Sequence, residues 1–331
     1  MSEFEIPHRP RRNRKSAAIR SAISETYLAP QHLIYPLFLL NGAGKREEIA
    51  SMPGIFRCSL ERILEEIETC LKVGVSIFAL FPAVDDSLKD KWATYSYSKG
   101  NFYCEAIRAI KNRFPEAVVM TDVAMDPYSS DGHDGLVESG RIVNDKTLPI
   151  LGKMALAQAE AGADILGPSD MMDGRVGYIR DVLDENDFQE VSILSYSAKY
   201  ASGFYGPFRD ALASAPKFGD KKTYQMDYSN VKEALIEARL DEDEGADMLM
   251  VKPALAYLDV IKVLSQNTNL PIAAYQVSGE YAMIKAAAQN GWLDEKKIVS
   301  ETLTAIRRAG ASVVLTYFAK QFAQQFVAES R

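Results

Sequence analysis

The sequence predicts an α/β protein, a closed (β/α)8 TIM barrel with an extended N-terminal arm. Three observations carry that prediction: eight short apolar runs, helical patterns between them, and one junction design that recurs four times.

The predicted strands, in order, are HLIYPLFL (32–39), VSIFALFP (75–82), AVVMTDVAMDP (117–127) and GADILGPSD (162–170). They continue with VSILSYSAK (191–199), GADMLMVKP (245–253), PIAAYQVSG (271–279) and ASVVLTYFA (311–319). Each is continuous enough to be buried on both faces of a parallel sheet. Helical patterns intervene, among them LERILEEIETCLKVG (60–74), NFYCEAIRAIKNRF (101–114), TLPILGKMALAQAEAG (147–162) and VKEALIEARLDEDEG (231–245). At KVGVSIFAL, EAGADILGP, DEGADMLMV and RAGASVVLT a helix ends at glycine and a small or branched residue opens a strand. Glycine reaches the left-handed conformation that ends a helix, so these read as repeated αβ turns.

Composition alone leaves open one barrel with an appendage or two smaller domains. The alternation of strand and helix favours one catalytic barrel over residues 32–331, preceded by an arm over 1–31. The arm holds the basic run HRPRRNRK (8–15) and a short helical pattern, KSAAIRSAIS (15–24), without a core of its own. A sister subunit is the surface it is expected to pack on.

Of 331 residues, 47% are hydrophobic and 25% charged, an ordinary globular balance. The formal charge of −7 argues against a general affinity for nucleic acid or anionic membrane. Residues 8–15 can be read as a local nucleic-acid patch, but in an acidic chain a solvated or subunit-contacting arm is the better reading. No apolar stretch is long enough to span a membrane and the N-terminus is charged, so a cytoplasmic protein is expected. Cys58, Cys70 and Cys104 form neither a disulfide framework nor a CxxC pair and read as packing residues. Three histidines, His8, His32 and His133, without an HExxH motif give little support to a histidine-based hydrolase.

Barrel enzymes carry catalytic groups at the carboxyl ends of their strands. Here those ends offer Asp122, Asp126, Ser169, Asp170, Lys199, Lys252, Ser278 and Tyr317. One lysine past a strand is ordinarily a surface residue. Two at equivalent positions on neighbouring strands point instead to paired amines whose charged forms are disfavoured by burial and by each other, which makes them nucleophiles toward ketones.

The strings DVAMDPYSSDGHDG (122–135), PSDMMDGR (168–175), SAKYASGFYGPFRDA (197–211), MVKPALAYLD (250–259) and YQVSGEYAMIKAA (275–287) resemble those of porphobilinogen synthases, also called 5-aminolevulinate dehydratases. The resemblance runs in order through nearly the whole chain. It implies a (β/α)8 barrel that condenses two 5-aminolevulinate molecules into porphobilinogen, with loss of water, through Schiff bases to both lysines. In that scheme Lys252 holds the substrate supplying the propionate side and Lys199 the one supplying the acetate side. One carboxylate would be received by Arg209, Lys221 and Gln225, the other by Ser278 and Tyr317. Tyr205, Phe208, Ser169 and Tyr275 would line the substrates, and Gly203 to Gln225 would form a lid. Lys221 stands where some relatives carry arginine, which keeps the charge but loses the forked donor.

The resemblance also bears on metals. Zinc-using relatives carry three cysteines where this chain has Ala124, Asp126 and Asp134, so no catalytic zinc is expected. Asp122, Asp126 and Asp134 suit magnesium or no metal, while the resemblance implies that Asp122 and Asp134 instead contact the amino group of the incoming substrate. Asp131 replaces a histidine common at its position. Glu237, fifteen positions before Lys252, implies an allosteric Mg2+, although on its own it reads as part of a solvated charged face. A homo-octamer embraced by the arm is implied as well. The alternatives are another Schiff-base barrel enzyme, such as a class I aldolase, and a catalytically silent barrel.

Overall fold

The structure is a computed structural model that describes residues 6–212, 217 and 219–329. Eight parallel strands close into a barrel: β1 (Leu33–Leu40), β4 (Ile77–Ala83), β5 (Val118–Val123), β8 (Ile165–Pro168), β9 (Ser192–Lys199), β10 (Met248–Lys252), β11 (Ile272–Gln276) and β12 (Val313–Thr316). Neighbours pair in that order, and β12 returns to β1 through Leu33 opposite Val314 and Ile34 opposite Leu315. Two hairpins lie outside the ring: β2 (Arg46–Glu48) with β3 (Phe56–Cys58), and β6 (Val137–Glu138) with β7 (Arg141–Ile142).

Burial explains the continuous apolar runs. In β1, LIYPLFL is buried throughout, because one face meets the barrel interior and the other the helical ring. Pro36 sits within this strand without disrupting the sheet. On that side β1 pairs with β12 up to Ile34 and with β3 from Phe38, and the residue lacking an N–H falls in the gap between the two ladders.

The helices are α1 (Ala17–Ala22) in the arm, then α2 (Leu60–Leu71), α3 (Phe102–Arg113), α4 (Asn144–Glu160), α5 (Arg175–Glu185) and α6 (Gly206–Leu212). After them come α7 (Lys232–Asp243), α8 (Leu258–Ser265), α9 (Ser278–Gln289), α10 (Glu295–Ala309) and α11 (Ala319–Glu329). Helix α2 buries Ile63, Ile67 and Cys70, a spacing that keeps one stripe toward the sheet. The four recurring junctions behave as their glycines predict: Gly74, Gly162, Gly245 and Gly310 have φ of 85°, 99°, 97° and 130°. At two of them the aspartate of Gly-Ala-Asp ties down the preceding strand. Asp164 accepts the Val119 N–H and Asp247 the Ile193 N–H, both at 2.7 Å.

Several predicted strands run too far. The segments 162–170, 245–253, 271–279 and 311–319 end as strands at Pro168, Lys252, Gln276 and Thr316, and 117–127 ends at Val123. Their apolar continuation does not extend the ladder but lines the loops at the barrel mouth, and Ser278 already opens α9. Between Ile6 and Ala22 no residue is buried, whereas Leu28, Ala29 and Pro30 at the end of the arm are buried and Leu28 joins the core. Among the described residues no helix is long and apolar enough to cross a membrane.

Candidate active site

Lys199 is the last residue of β9 and Lys252 the last of β10, and the two stand opposite each other in the sheet register. That pairing places both amines at one mouth. Each is only 6% exposed. Their surroundings differ sharply.

Lys199 reaches into a polar cluster. Its Nζ donates to Asp134 Oδ2 at 3.2 Å and to the Ser169 carbonyl. Lys221 joins from the far end of the 203–225 segment, its Nζ lying 2.5 Å from Asp134 Oδ1 and 3.2 Å from Asp126 Oδ2. Gln225 adds an amide contact to Asp134 at 3.5 Å. Burial would raise the Asp134 carboxyl, but Lys199 and Lys221 outweigh it and hold it down at about 2. Desolvation would lower Lys221, and Asp126 with Asp134 more than compensate, so that it stays protonated. Burial pushes the Asp126 carboxyl up, and burial followed by the charge of Asp126 pushes the Asp122 carboxyl up to about 6. The backbone of Asp122 is fixed by the Tyr103 hydroxyl at 3.2 Å.

Lys252 lies in an aromatic box. Its Nζ is 4.8 Å from the ring centre of Tyr275, 5.0 Å from Phe208, 5.1 Å from Tyr196 and 5.2 Å from Tyr205. Desolvation first, and then the charge of Lys199, lower its pKa to about 7. A substantial fraction of Lys252 is therefore free amine near neutral pH, the form that attacks a carbonyl. Beyond it, Tyr275 and Tyr317 share a hydroxyl contact of 2.9 Å, and Phe38 stacks on Tyr317. The Lys252–Pro253 peptide is cis.

Residues 203–205 form a 3-10 turn and α6 follows, and together they cover the box from above. Phe208 donates its N–H to Ser278 Oγ at 3.0 Å, and Ser278 Oγ donates to the Phe204 carbonyl at 3.3 Å. Tyr205 donates its hydroxyl to the Lys252 carbonyl at 3.0 Å. Residue 279 must be glycine, because a Cβ there would sit 2.5 Å from the Phe204 carbonyl oxygen. Of the segment 203–225 expected as a lid, Tyr205 and Phe208 reach the Lys252 side and Lys221 and Gln225 the Lys199 side; residues 213–216 and 218 lie outside the described residues.

The remaining predicted site residues can be placed. Asp122 and Ser169 face each other at the ends of β5 and β8, where the Ser169 hydroxyl helps hold the Asp122 carboxyl down. Arg209 is half-buried on α6. Lys221 does not stand open as a carboxylate receiver here, since both its contacts are to aspartates. Asp131 acts through its backbone, its carbonyl accepting the Lys217 N–H at 3.1 Å. Glu237 lies apart from the lysines, on the wall of a cavity of about 790 Å³ that it shares with Asp173, Glu233 and Gln225. Burial pushes its carboxyl up to about 6.

Sequence reasoning missed Tyr196 and Glu280. Tyr196 sits three residues before Lys199 in the same strand and is fully buried, and the string SYSAK carried it as an undistinguished strand aromatic. Glu280 looked like a charge early in a helix, yet it is fully buried.

The carboxyl ends of the strands in a closed (β/α)8 barrel are where such proteins do their chemistry. With two opposed amines gathered at that end, the fold and site define a lysine-centred barrel enzyme. The sequence model of the family described as delta-aminolevulinic acid dehydratase matches residues 7–325. A chloroplastic delta-aminolevulinic acid dehydratase of Physcomitrium patens is 56% identical over 99% of this chain and 76% of its own length. That of Chlamydia pneumoniae is 53% identical over 96% of both chains. Among solved structures, the delta-aminolevulinic acid dehydratase (porphobilinogen synthase) of Toxoplasma gondii ME49, in complex with the reaction product porphobilinogen, superposes with a TM-score of 0.96 at 52% identity. That match covers 98% of this chain and 93% of the other. The chain belongs to the delta-aminolevulinic acid dehydratase family.

Proposed function

We infer that this protein is a porphobilinogen synthase, a lyase of tetrapyrrole biosynthesis that condenses two 5-aminolevulinate molecules with loss of water. The observation that carries the lysine chemistry is the register placing Lys252 directly opposite Lys199. In this reading each amine attacks one ketone carbon, water leaves, and the resulting iminium acidifies the adjacent carbon and strengthens the electrophile. Lys252, largely desolvated and partly neutral, holds the substrate that supplies the propionate side. Lys199, beside Asp134, holds the one that supplies the acetate side.

The carboxylates follow the same division. Ser278 and Tyr317 offer hydroxyls on the Lys252 side, where a second buried charge would be costly. Arg209, Lys221 and Gln225 serve the Lys199 side, with Lys221 exchanging an aspartate for the substrate. Asp122 and Asp134 are suited to hold the substrate amino group. The test is to supply 5-aminolevulinate, assay pyrrole, and reduce in parallel with borohydride before mapping modified lysines. Pyrrole with adducts at Lys199 and Lys252 supports the reading, and a folded protein giving neither contradicts it.

An allosteric Mg2+ at Glu237 belongs to the same proposal. Glu237 shares its cavity wall with Asp173 and Glu233, a set of hard oxygen donors that fits magnesium. Among the described residues no cluster of three or more metal-ligating side chains is preformed, so the ion would keep several waters. Its contribution would be charge compensation on α7, a helix that packs on β9. The stretch Ile6–Ala22, in which no residue is buried, supports a homo-oligomer, by resemblance an octamer, in which the arm finds a packing partner on a neighbour. Removing the arm is expected to reduce the assembly's sedimentation coefficient; an unchanged octamer contradicts that role.

A further inference from the structure

Glu280 is fully buried, and its three hydrogen-bond donors are all backbone amides. One belongs to its own helix: Val277 N–H at 2.6 Å, the ordinary return bond of a glutamate in the first turn. The other two come from a different strand end. Leu255 N–H donates to Oε1, and Ala254 N–H lies 3.4 Å from Oε2. Those amides follow Lys252 by two and three residues. A helix cap alone has no need of them.

We propose that Glu280 is a positioning residue for the reaction, its carboxylate clamping the loop after Lys252 to the turn that presents Ser278. The clamp sits at a crossroads. The same turn carries Ser278, which bonds Phe204 and Phe208, and Gly279, on which the Phe204 carbonyl rests. The Lys252 carbonyl is held in turn by the Tyr205 hydroxyl and the Tyr200 N–H, both at 3.0 Å. One acidic side chain thus sets the spacing between a nucleophile, a carboxylate-binding hydroxyl and the lid above them. Near-attack geometry is sensitive to such spacing, since a displacement of about 1 Å can cost on the order of 10²-fold in rate. Glutamine at this position keeps one acceptor but turns an N–H donor toward amide donors, so the clamp fails without a change of volume.

This inference rests on Lys252 forming an imine, and the experiment separates the two claims. Wild type and Glu280→Gln, in the presence of 5-aminolevulinate, are reduced with borohydride, and the adducts at Lys252 and Lys199 are quantified in the same molecules, alongside kcat. The variant is expected to lose about tenfold of its Lys252 adduct relative to Lys199 and about 10²-fold in kcat. Val277→Pro, at a residue whose φ of −79° suits proline, removes the helix-capping donor and trims a buried side chain but leaves the Ala254 and Leu255 amides on Glu280, and is expected to keep the wild-type adduct ratio. Glu280→Asp, with the charge on a shorter stem, is read the same way as Glu280→Gln should the latter not accumulate folded. An unchanged adduct ratio in the Glu280 variant overturns the proposal, as does an equal loss in Val277→Pro, which would assign the effect to capping. A wild type without a Lys252 adduct overturns the imine reading itself, and the proposal with it.

Discussion

The two sides of the barrel mouth hold the same functional group in opposite environments. Around Lys199 the chain has gathered carboxylates, a second lysine and a carbonyl, so a charge there is matched by charge. Around Lys252 it has gathered four aromatic rings, so a charge there has π faces and no direct ion-pair partner among the described residues. The contrast is what an asymmetric condensation of two identical molecules requires. The substrate cannot tell the two sites apart by its own structure, and the protein must make their surroundings differ.

Experiments can break that comparison at decreasing cost. Replacing either lysine with methionine is expected to lower kcat by at least about 10⁴-fold, as for other covalent nucleophiles. The two variants should still differ: Lys199→Met retains an imine at Lys252, and the pH at which that imine forms moves upward because a nearby positive charge is gone. Borohydride trapping across a pH series reads both effects, and an unmoved midpoint would mean that the amines do not sense one another.

Asp134→Asn strikes the polar side by leaving Lys199 and Lys221 without their shared counter-ion. Breaking a buried pair in this way is expected to cost about 3–5 kcal/mol of stability, measured by denaturant unfolding. A loss below about 1 kcal/mol would show the cluster to be solvated and screened. On the aromatic side, Phe208→Leu keeps apolar volume but removes the ring over Lys252 that also packs edge-on against Phe81. A fall in kcat/KM of about tenfold is expected, equivalent to about 1.4 kcal/mol. The smallest effect belongs to Tyr205→Phe, which deletes the hydroxyl bond to the Lys252 carbonyl and should cost about 1 kcal/mol in stability with kcat within a few-fold of wild type.

Much of this was legible in the sequence because strand ends advertise themselves. Lys199 and Lys252 each end a strand-like run, and a helix-ending glycine opens four of the strands, so the barrel and the two strand-end lysines could be placed by counting. The aromatic box was legible only in part: Tyr205, Phe208 and Tyr275 were expected at the substrates, but neither Tyr196 nor the convergence of all four rings on Lys252 could be read. Its rings come from β9, from the lid and from β11, segments brought together only by closure of the barrel. Lys221 was expected as an open cation for a substrate carboxylate and stands paired with two aspartates, because its segment folds back over the mouth. Glu280 was invisible for a different reason. A glutamate in the first turn of a helix has a local explanation that suffices, and only the tertiary fold shows the second strand end within its reach.

The central claim is that Lys252 owes its reactivity to a dry aromatic setting that leaves it partly uncharged near neutrality. The direct test is competitive acylation of the substrate-free enzyme across a pH series, with the extent of modification at Lys252 read by peptide mass spectrometry. A midpoint near 7 is the predicted result; a midpoint in the ordinary lysine range, above about 10, would contradict it.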